Sequence, residues 1–266
     1  MKTIDDTDFS QLYHNHIKLC ARKPKQALDW DDKARQLQTR NTDLNQDYIR
    51  RFLAAMDFSR NDSLLDVGCG GGAIALSLAP QVKQVYALDY SRAMLDLLTQ
   101  RAKALNIENV TTLHCAWEDN WDHIPQCDIC VSSRSSMVGD LQSALDKLNS
   151  KAKKAVYMTM RVDKDFSLRR LLRQIGRDKI AFPSYIYAVN MLYQQGYRVN
   201  VNFIEDATPN KPLELSSEDF IQSVKSLVDS ELNEWEIHKL QDYYRTHSQS
   251  LSRSPRQHWA LLSWRK

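Results

Sequence analysis

Nine residues constrain this chain more than any others: Leu64-Leu65-Asp66-Val67-Gly68-Cys69-Gly70-Gly71-Gly72. Ser63 to Val67 reads as a short strand, apolar but for Asp66. Ala73 to Ala79 reads as a small-residue helix that stops before Pro80. Between them, Gly68 and Gly70 can take backbone angles closed to other residues and let a ligand lie against the main chain. Gly72 lets the helix pack close to the strand. Such a strand-to-helix turn sits at the carboxyl end of an open α/β sheet, where these folds bind ligands. About twenty residues on, at the end of the next strand, Asp89 can accept hydrogen bonds from both hydroxyls of a ribose. The set reads as an adenosine-cofactor site.

Two ligand classes compete for it. A nicotinamide or flavin dinucleotide asks for G-x-G-x-x-G with a helix N-terminus under the pyrophosphate, and Gly68, Gly70 and Ala73 can fill those places. Asp66 separates the two. A carboxylate just before the first glycine repels a pyrophosphate and suits a ligand carrying an ammonium and a sulfonium. A pyridine-nucleotide oxidoreductase stays the lesser alternative.

The rest of the chain alternates strands with helices, which argues for a parallel sheet covered on both faces. Strands are expected at Gln84 to Leu88, ending in Asp89, and at Val110 to Cys115, Cys127 to Ser132, Ala155 to Val162, Arg198 to Phe203 and Trp259 to Trp264. Residues 1–60 read as helical with a break at Pro24, the last helix covering Leu44 to Met56. Ser91 and Asp140 are candidate N-caps. Further helices are expected from Ser167 to Ile175, after Pro183 as far as Gly196, and over Ser217 to Val228 and Ser230 to Tyr244. The domain reading is a helical cap over 1–60 and a core over 61–266, with helical insertions at about 165–195 and 215–248.

Asp66 to Gly72 resembles motif I of the class I S-adenosylmethionine-dependent methyltransferases, and Asp89 to Leu95 resembles the second motif of that family. Cys115-Ala116-Trp117-Glu118-Asp119 is similar to its adenine-binding segment. The resemblance covers about Asp62 to Val162. It implies a Rossmann-like, mostly parallel seven-stranded sheet with an antiparallel last strand pair, and S-adenosyl-L-methionine as cofactor. It also implies site roles. Gly68 and Gly70 contact the methionine part, Asp66 orients its amino group, Asp89 holds the ribose, and Tyr90 packs on the adenine. Glu118 accepts from the adenine amino group, with Ala116 and Trp117 nearby. Ser132 and Ser133 line the gap between donor and acceptor. Gly72 completes the cofactor turn. The flanking helices are expected to shape the acceptor site.

The methyl donor is already activated, so positioning in a dry pocket carries most of the reaction, and a base matters only if the acceptor must lose a proton. No single residue stands out as that base. His114 reads as a hydrogen-bonded strand histidine; His14 and His16 read as surface residues of the N-terminal helices. Arg134 and Arg161, at the ends of the fourth and fifth strands, can clamp a carboxylate or phosphate of the acceptor. Equally, each can pair with a local acid such as Asp163 or Asp165. Trp30, with Arg35 and Arg40, is a candidate lid residue.

The chain has 266 residues, 36 basic against 33 acidic, for a net charge of +3. That balance argues against nucleic acid, although Lys151 to Lys179 is rich in Lys and Arg, including Arg169, Arg170 and Arg173. An RNA methyltransferase and a cofactor-binding, non-catalytic partner protein are the alternatives to a small-molecule methyltransferase. Five cysteines, an acidic polar start and the lack of a long apolar run point to a reduced cytoplasmic protein, monomer or homodimer, without membrane or metal. Cys127 and Cys130 share a strand, and their spacing predicts side chains on opposite faces.

Overall fold

The computed structural model describes residues 3–20, 27–38, 44, 46–162, 172–177, 182–205, 216–225, 228, 231–251 and 258–266. Expectations for Pro24, Arg40, Asp163, Asp165, Arg169, Arg170, Lys179 and the start of the helix at Ser167 fall outside these residues.

Seven strands form one sheet: β1 (Ser63–Val67), β2 (Gln84–Asp89), β3 (Val110–His114), β4 (Cys127–Ser132), β5 (Ala152–Arg161), β6 (Asn200–Glu205) and β7 (His258–Arg265). Their order is β3-β2-β1-β4-β5-β7-β6. The β1 to β5 pairings are parallel, and β7 runs antiparallel to both β5 and β6. This is the Rossmann-like arrangement with the antiparallel final pair. The chain reverses from β1 to β4 on one side and β2 on the other, so ligands are drawn to the carboxyl edge there.

Adjacent residues of the central strands feed opposite cores, as a pleat requires. One face carries Leu64, Val85, Ala87, Ile129 and Val131 against α3 (Asp47–Ala54), α4 (Ala73–Leu78) and α5 (Arg92–Ala104). The other carries Leu65, Val67, Cys130 and Met158 against α1 (Phe9–Leu19), α6 (Leu141–Lys151) and α7 (Ile186–Gln194). Ser91 caps α5 by accepting from the Met94 N–H, and Asp140 caps α6 by accepting from Ser143. Gly196 closes α7 at φ 86°, and the Tyr197 N–H returns to the Leu192 carbonyl.

The structure changes several expectations. α3 begins at Asp47, whose carboxylate collects Arg50 and Arg51, rather than at Leu44. β6 starts two residues later than its apolar run suggests, because Tyr197 and Val199 pack beneath the sheet before the strand begins. β5 starts at Ala152. Cys127 pairs with Ala152 and Ile129 with Ala155, so β5 carries one extra residue there. Cys127 and Cys130 are both buried and enter the same core, although their spacing on one strand predicts opposite faces.

The helices outside the sheet divide differently from the expected insertions. α7 belongs to the main core. Leu172 and Ile175 instead join α8 (Ser217–Lys225) and α9 (Glu234–Leu251) in a separate small cluster with Phe220, Ile221, Val224 and Leu240. Arg177 ties that cluster together by donating to both Glu236 carboxylate oxygens at 2.5 and 2.8 Å. Among the described residues, no helix is long and apolar enough to cross a membrane, and no group of His, Cys, Asp and Glu could hold a metal ion. A hollow of about 320 Å³, lined by Asp57, Tyr157, Asn200, Asn202 and Arg265, lies over the sheet face between the end of α3 and β6 rather than at the carboxyl edge.

Candidate cofactor and acceptor site

The glycine turn is held from below. The N–H groups of Gly68 and Cys69 both donate to the Leu88 carbonyl, at 2.8 and 3.0 Å. Gly68 and Gly70 have φ of 70° and 51°, in the left-handed region that side chains disfavour. A Cβ at Gly68 would lie 2.3 Å from the Ser135 Cβ, whereas at Gly70 it would meet only the Met94 Sδ, at 4.0 Å. The Gly68 side of the turn is therefore packed against the loop after β4, and the Gly70 side is open for a ligand to approach the backbone. Gly72 has φ 85° and abuts Leu98 and Leu76, which lets α4 pack close.

Asp66 is buried beneath the turn. Its carboxylate accepts the Ala75 N–H at 3.1 Å, one of the donors that the first turn of α4 leaves unmatched. Burial, reinforced by the nearby Asp89 charge, pushes its carboxyl up to about 7. No cationic side chain among the described residues pairs with it. Asp89 accepts the Gly70 N–H at 2.8 Å and the Ser91 N–H at 2.9 Å, so it fixes the turn. Burial raises its carboxyl too, opposed by those two N–H groups. Two buried carboxylates beside an open glycine backbone fit a ligand with a cationic end and a diol, which is the chemistry of S-adenosylmethionine.

The side walls come from further along the chain. Tyr90 is half-buried, and the Trp30 indole N–H donates to its hydroxyl. α2 (Ala27–Gln38), which carries Trp30, is tied to the same corner by the Ser91 hydroxyl donating to Asp31 at 2.6 Å and by Arg101 donating to the Leu37 carbonyl. Trp30, expected as a lid residue, is thus brought beside Tyr90. Glu118 is exposed and close enough to Tyr90 to raise its hydroxyl. The Ala116 N–H donates to Asp119. Trp117 stacks on Trp121, with ring centroids 5.3 Å apart, and its indole donates to the Ser135 carbonyl. His114 bonds the Tyr90 carbonyl through Nε2, the hydrogen-bonded role expected of it.

A second network, not foreseen from the sequence, sits at the ends of β4 and β5. Tyr48 of α3 bonds Ser133 Oγ at 2.8 Å and Thr159 Oγ1 at 2.9 Å. Ser132 is buried and bonds Ser135, whose hydroxyl donates to the Val67 carbonyl. Arg134 stands at φ 59°, rare for a side-chain-bearing residue. Its N–H donates to Thr159 Oγ1, and its guanidinium lies 4.3 Å over the Tyr48 ring. Arg161 ends β5 half-buried. No carboxylate among the described residues pairs with either arginine. In the sequence Tyr48 registers only as an apolar position of a helix; nothing local marks its hydroxyl as the joint between two strand ends.

Residues 64–155 match the family profile described as a methyltransferase domain. A Haemophilus influenzae protein of uncharacterised function is 38% identical over 265 residues, 98% of each chain. The ribosomal RNA small subunit methyltransferase G of Pseudomonas entomophila is 37% identical over 89 residues, 32% of this chain and 41% of that one. The structure of Haemonchus contortus phosphoethanolamine N-methyltransferase 2, solved with phosphomonomethylethanolamine and S-adenosylhomocysteine, superposes with a TM-score of 0.55 at 15% identity. It covers 91% of this chain and 60% of that one, and shares the fold.

Proposed function

We propose an acceptor class for this chain, which belongs to the Rossmann-like class I S-adenosylmethionine-dependent methyltransferases and uses S-adenosylmethionine as its methyl donor. The acceptor is a small molecule bearing a carboxylate or phosphate, held by Arg134 and Arg161. The observation that carries this is the pair of arginines at neighbouring strand ends, without carboxylate partners among the described residues. One of them sits in a costly backbone conformation over an aromatic face. A left-handed non-glycine residue costs about 1–2 kcal/mol, and surroundings that hold it there are a common feature of binding sites. Asp66, Gly68, Gly70, Asp89 and Tyr90 are the residues we assign to the donor, with Gly72, Ala116, Trp117, Glu118, Ser132 and Ser133 around them. The bound donor supplies an electrophilic methyl on a sulfonium; the chain orients it and excludes water.

RNA is the competing acceptor, favoured by the likeness of the core to a ribosomal RNA methyltransferase. Incubation with methyl-labelled S-adenosylmethionine and either total RNA or a low-molecular-mass cell extract separates the two. Label is expected in small molecules. The Arg161→Ala change is expected to raise the acceptor KM while leaving S-adenosylhomocysteine affinity intact. Label in RNA alone, or equal loss of both affinities, overturns the reading.

A further inference from the structure

We propose that Tyr187, backed by His16, takes the proton from the acceptor's nucleophile, which is therefore an amine or hydroxyl that still carries its proton at neutral pH. This rests on the small-molecule acceptor reading above.

The pair is built from two helices that meet beside the acceptor edge. α1 and α7 run antiparallel: Gln194, at the end of α7, donates to the Thr7 carbonyl just before α1, and His16, near the end of α1, meets Tyr187 in the first turn of α7. His16 Nδ1 lies 2.9 Å from the Tyr187 hydroxyl, and both side chains are half-buried. Two hydrogen bonds place them. The Tyr185 N–H donates to the Arg161 carbonyl, which fixes the start of α7 to the end of β5. The Tyr13 hydroxyl donates to the Val138 carbonyl at 2.6 Å, which fixes α1 to the loop leaving β4. The Tyr13 ring then meets the Tyr187 ring edge-on, with centroids 5.6 Å apart. The start of α7, two residues before Tyr187, is thus tied to the strand end that carries Arg161, and Tyr13, whose ring meets Tyr187, is tied to the loop that carries Arg134.

The chemistry needs both members. Burial, then the neighbouring Cys20, raises the Tyr187 hydroxyl above the ordinary phenol value, so it is not a phenolate at neutral pH. Donating to His16 Nδ1, it can accept one proton as it gives up another. The nucleophile's lone pair forms the bond to the methyl carbon, and the carbon–sulfur pair stays on sulfur. The nucleophile's proton passes to Tyr187 Oη, and the phenolic proton passes to His16 Nδ1. Tyr187 ends neutral and His16 ends as an imidazolium. Among the described residues, the other titratable groups around the pair are Tyr13 and His14 on α1, Cys20 at its C-cap, Tyr185 at the N-cap of α7, and Asp140 at the cap of α6, which lies 4.0 Å from His14 Nε2. A carboxylate acceptor, already ionised, would need no such pair.

The test uses the full chain with Tyr187→Phe and His16→Gln. S-adenosylhomocysteine affinity, as a check on folding, is expected within about twofold of wild type. Single-turnover transfer into the low-molecular-mass extract at pH 7 is expected to fall about a hundredfold or more. The deficit should shrink as pH rises toward 10, where the acceptor loses its proton unaided. By NMR, the His16 imidazole titration should move in the Tyr187→Phe protein without acceptor. A wild-type rate at pH 7, a deficit equal at every pH, or an unmoved imidazole overturns the assignment while leaving the small-molecule reading in place. Wild type that labels no small molecule overturns both.

Discussion

Two alanine substitutions in the glycine turn should fail in opposite ways. At Gly68 the new methyl enters a left-handed backbone, costing about 1–2 kcal/mol. It also lands 2.3 Å from the Ser135 Cβ and 2.6 Å from the Ser135 Oγ. Ser135 cannot swing aside cheaply, because its hydroxyl bonds both the Val67 carbonyl and Ser132. Overpacking of that kind adds about 1–3 kcal/mol, for a total of about 2–5 kcal/mol. In a chain of this size that lowers Tm by roughly 4–20 °C. At Gly70 the backbone cost is similar, but the methyl meets nothing nearer than the Met94 Sδ at 4.0 Å. Gly70→Ala should therefore lose only about 1–2 kcal/mol of stability. Its methyl instead occupies the space against which the donor lies, so S-adenosylhomocysteine affinity should fall at least tenfold, about 1.4 kcal/mol. Urea unfolding without ligand and titration calorimetry with S-adenosylhomocysteine read the two effects apart. Equal stability losses, or wild-type affinity in Gly70→Ala, would refute the placement of the ligand on the Gly70 side.

Asp66 predicts a pH signature. Its folded carboxyl is raised to about 7 from an ordinary 3.8, chiefly by burial, so its contribution to stability is present below pH 4 and lost as pH rises toward 7. Asp66→Asn should flatten that decline and leave the protein at least as stable at pH 8, as thermal melts across pH will show. Because a ligand ammonium favours the carboxylate, S-adenosylhomocysteine binding should release a proton and weaken up to about tenfold per unit below pH 7 in wild type, but not in Asp66→Asn. Trp259 is buried with an indole N–H that has no partner among the described residues. An orphan donor costs about 1–3 kcal/mol, so Trp259→Phe should change urea stability by only about 1 kcal/mol despite lost packing. A loss of about 3 kcal/mol or more would mean that the N–H is satisfied in solution.

What the sequence makes legible follows physical locality. The glycine turn, with Asp66 beneath it and Asp89 bonded to it, is legible because strand, glycine and helix signals lie within thirty residues of one another. The caps Ser91 and Asp140 are read because a cap is a contact across a single turn. The start of β6 slips because that edge strand is only partly buried, and edge register is weakly written in side-chain alternation. Cys127 and Cys130 enter one core although alternation along β4 predicts opposite faces, and no short pattern in the sequence marks this. Tyr48 and Tyr187 carry no local signal, and His16 reads only as a surface histidine. Their partners are 85, 111 and 171 residues away, and no short pattern encodes such distances.

That division explains why the donor is so much easier to read than the acceptor. The matched methyltransferase segment runs from 64 to 155 and contains the glycine turn, Asp89, Tyr90 and the loop after β3. It stops before Thr159, Arg161 and Tyr187, and starts after Tyr13, His16 and Tyr48. The N-terminal helices nevertheless serve both halves. α2 grips the donor corner through Asp31 and Trp30, while α1 and α3 grip the ends of β4 and β5 through Tyr13 and Tyr48. Sequence outside the matched segment is thus joined onto the ends of two strands of the sheet. A change at Tyr48 reaches Arg134, Ser133 and Thr159 together, because one side chain supports all three. A change at Tyr48 therefore acts on Ser133, which we assign beside the donor, as well as on Arg134.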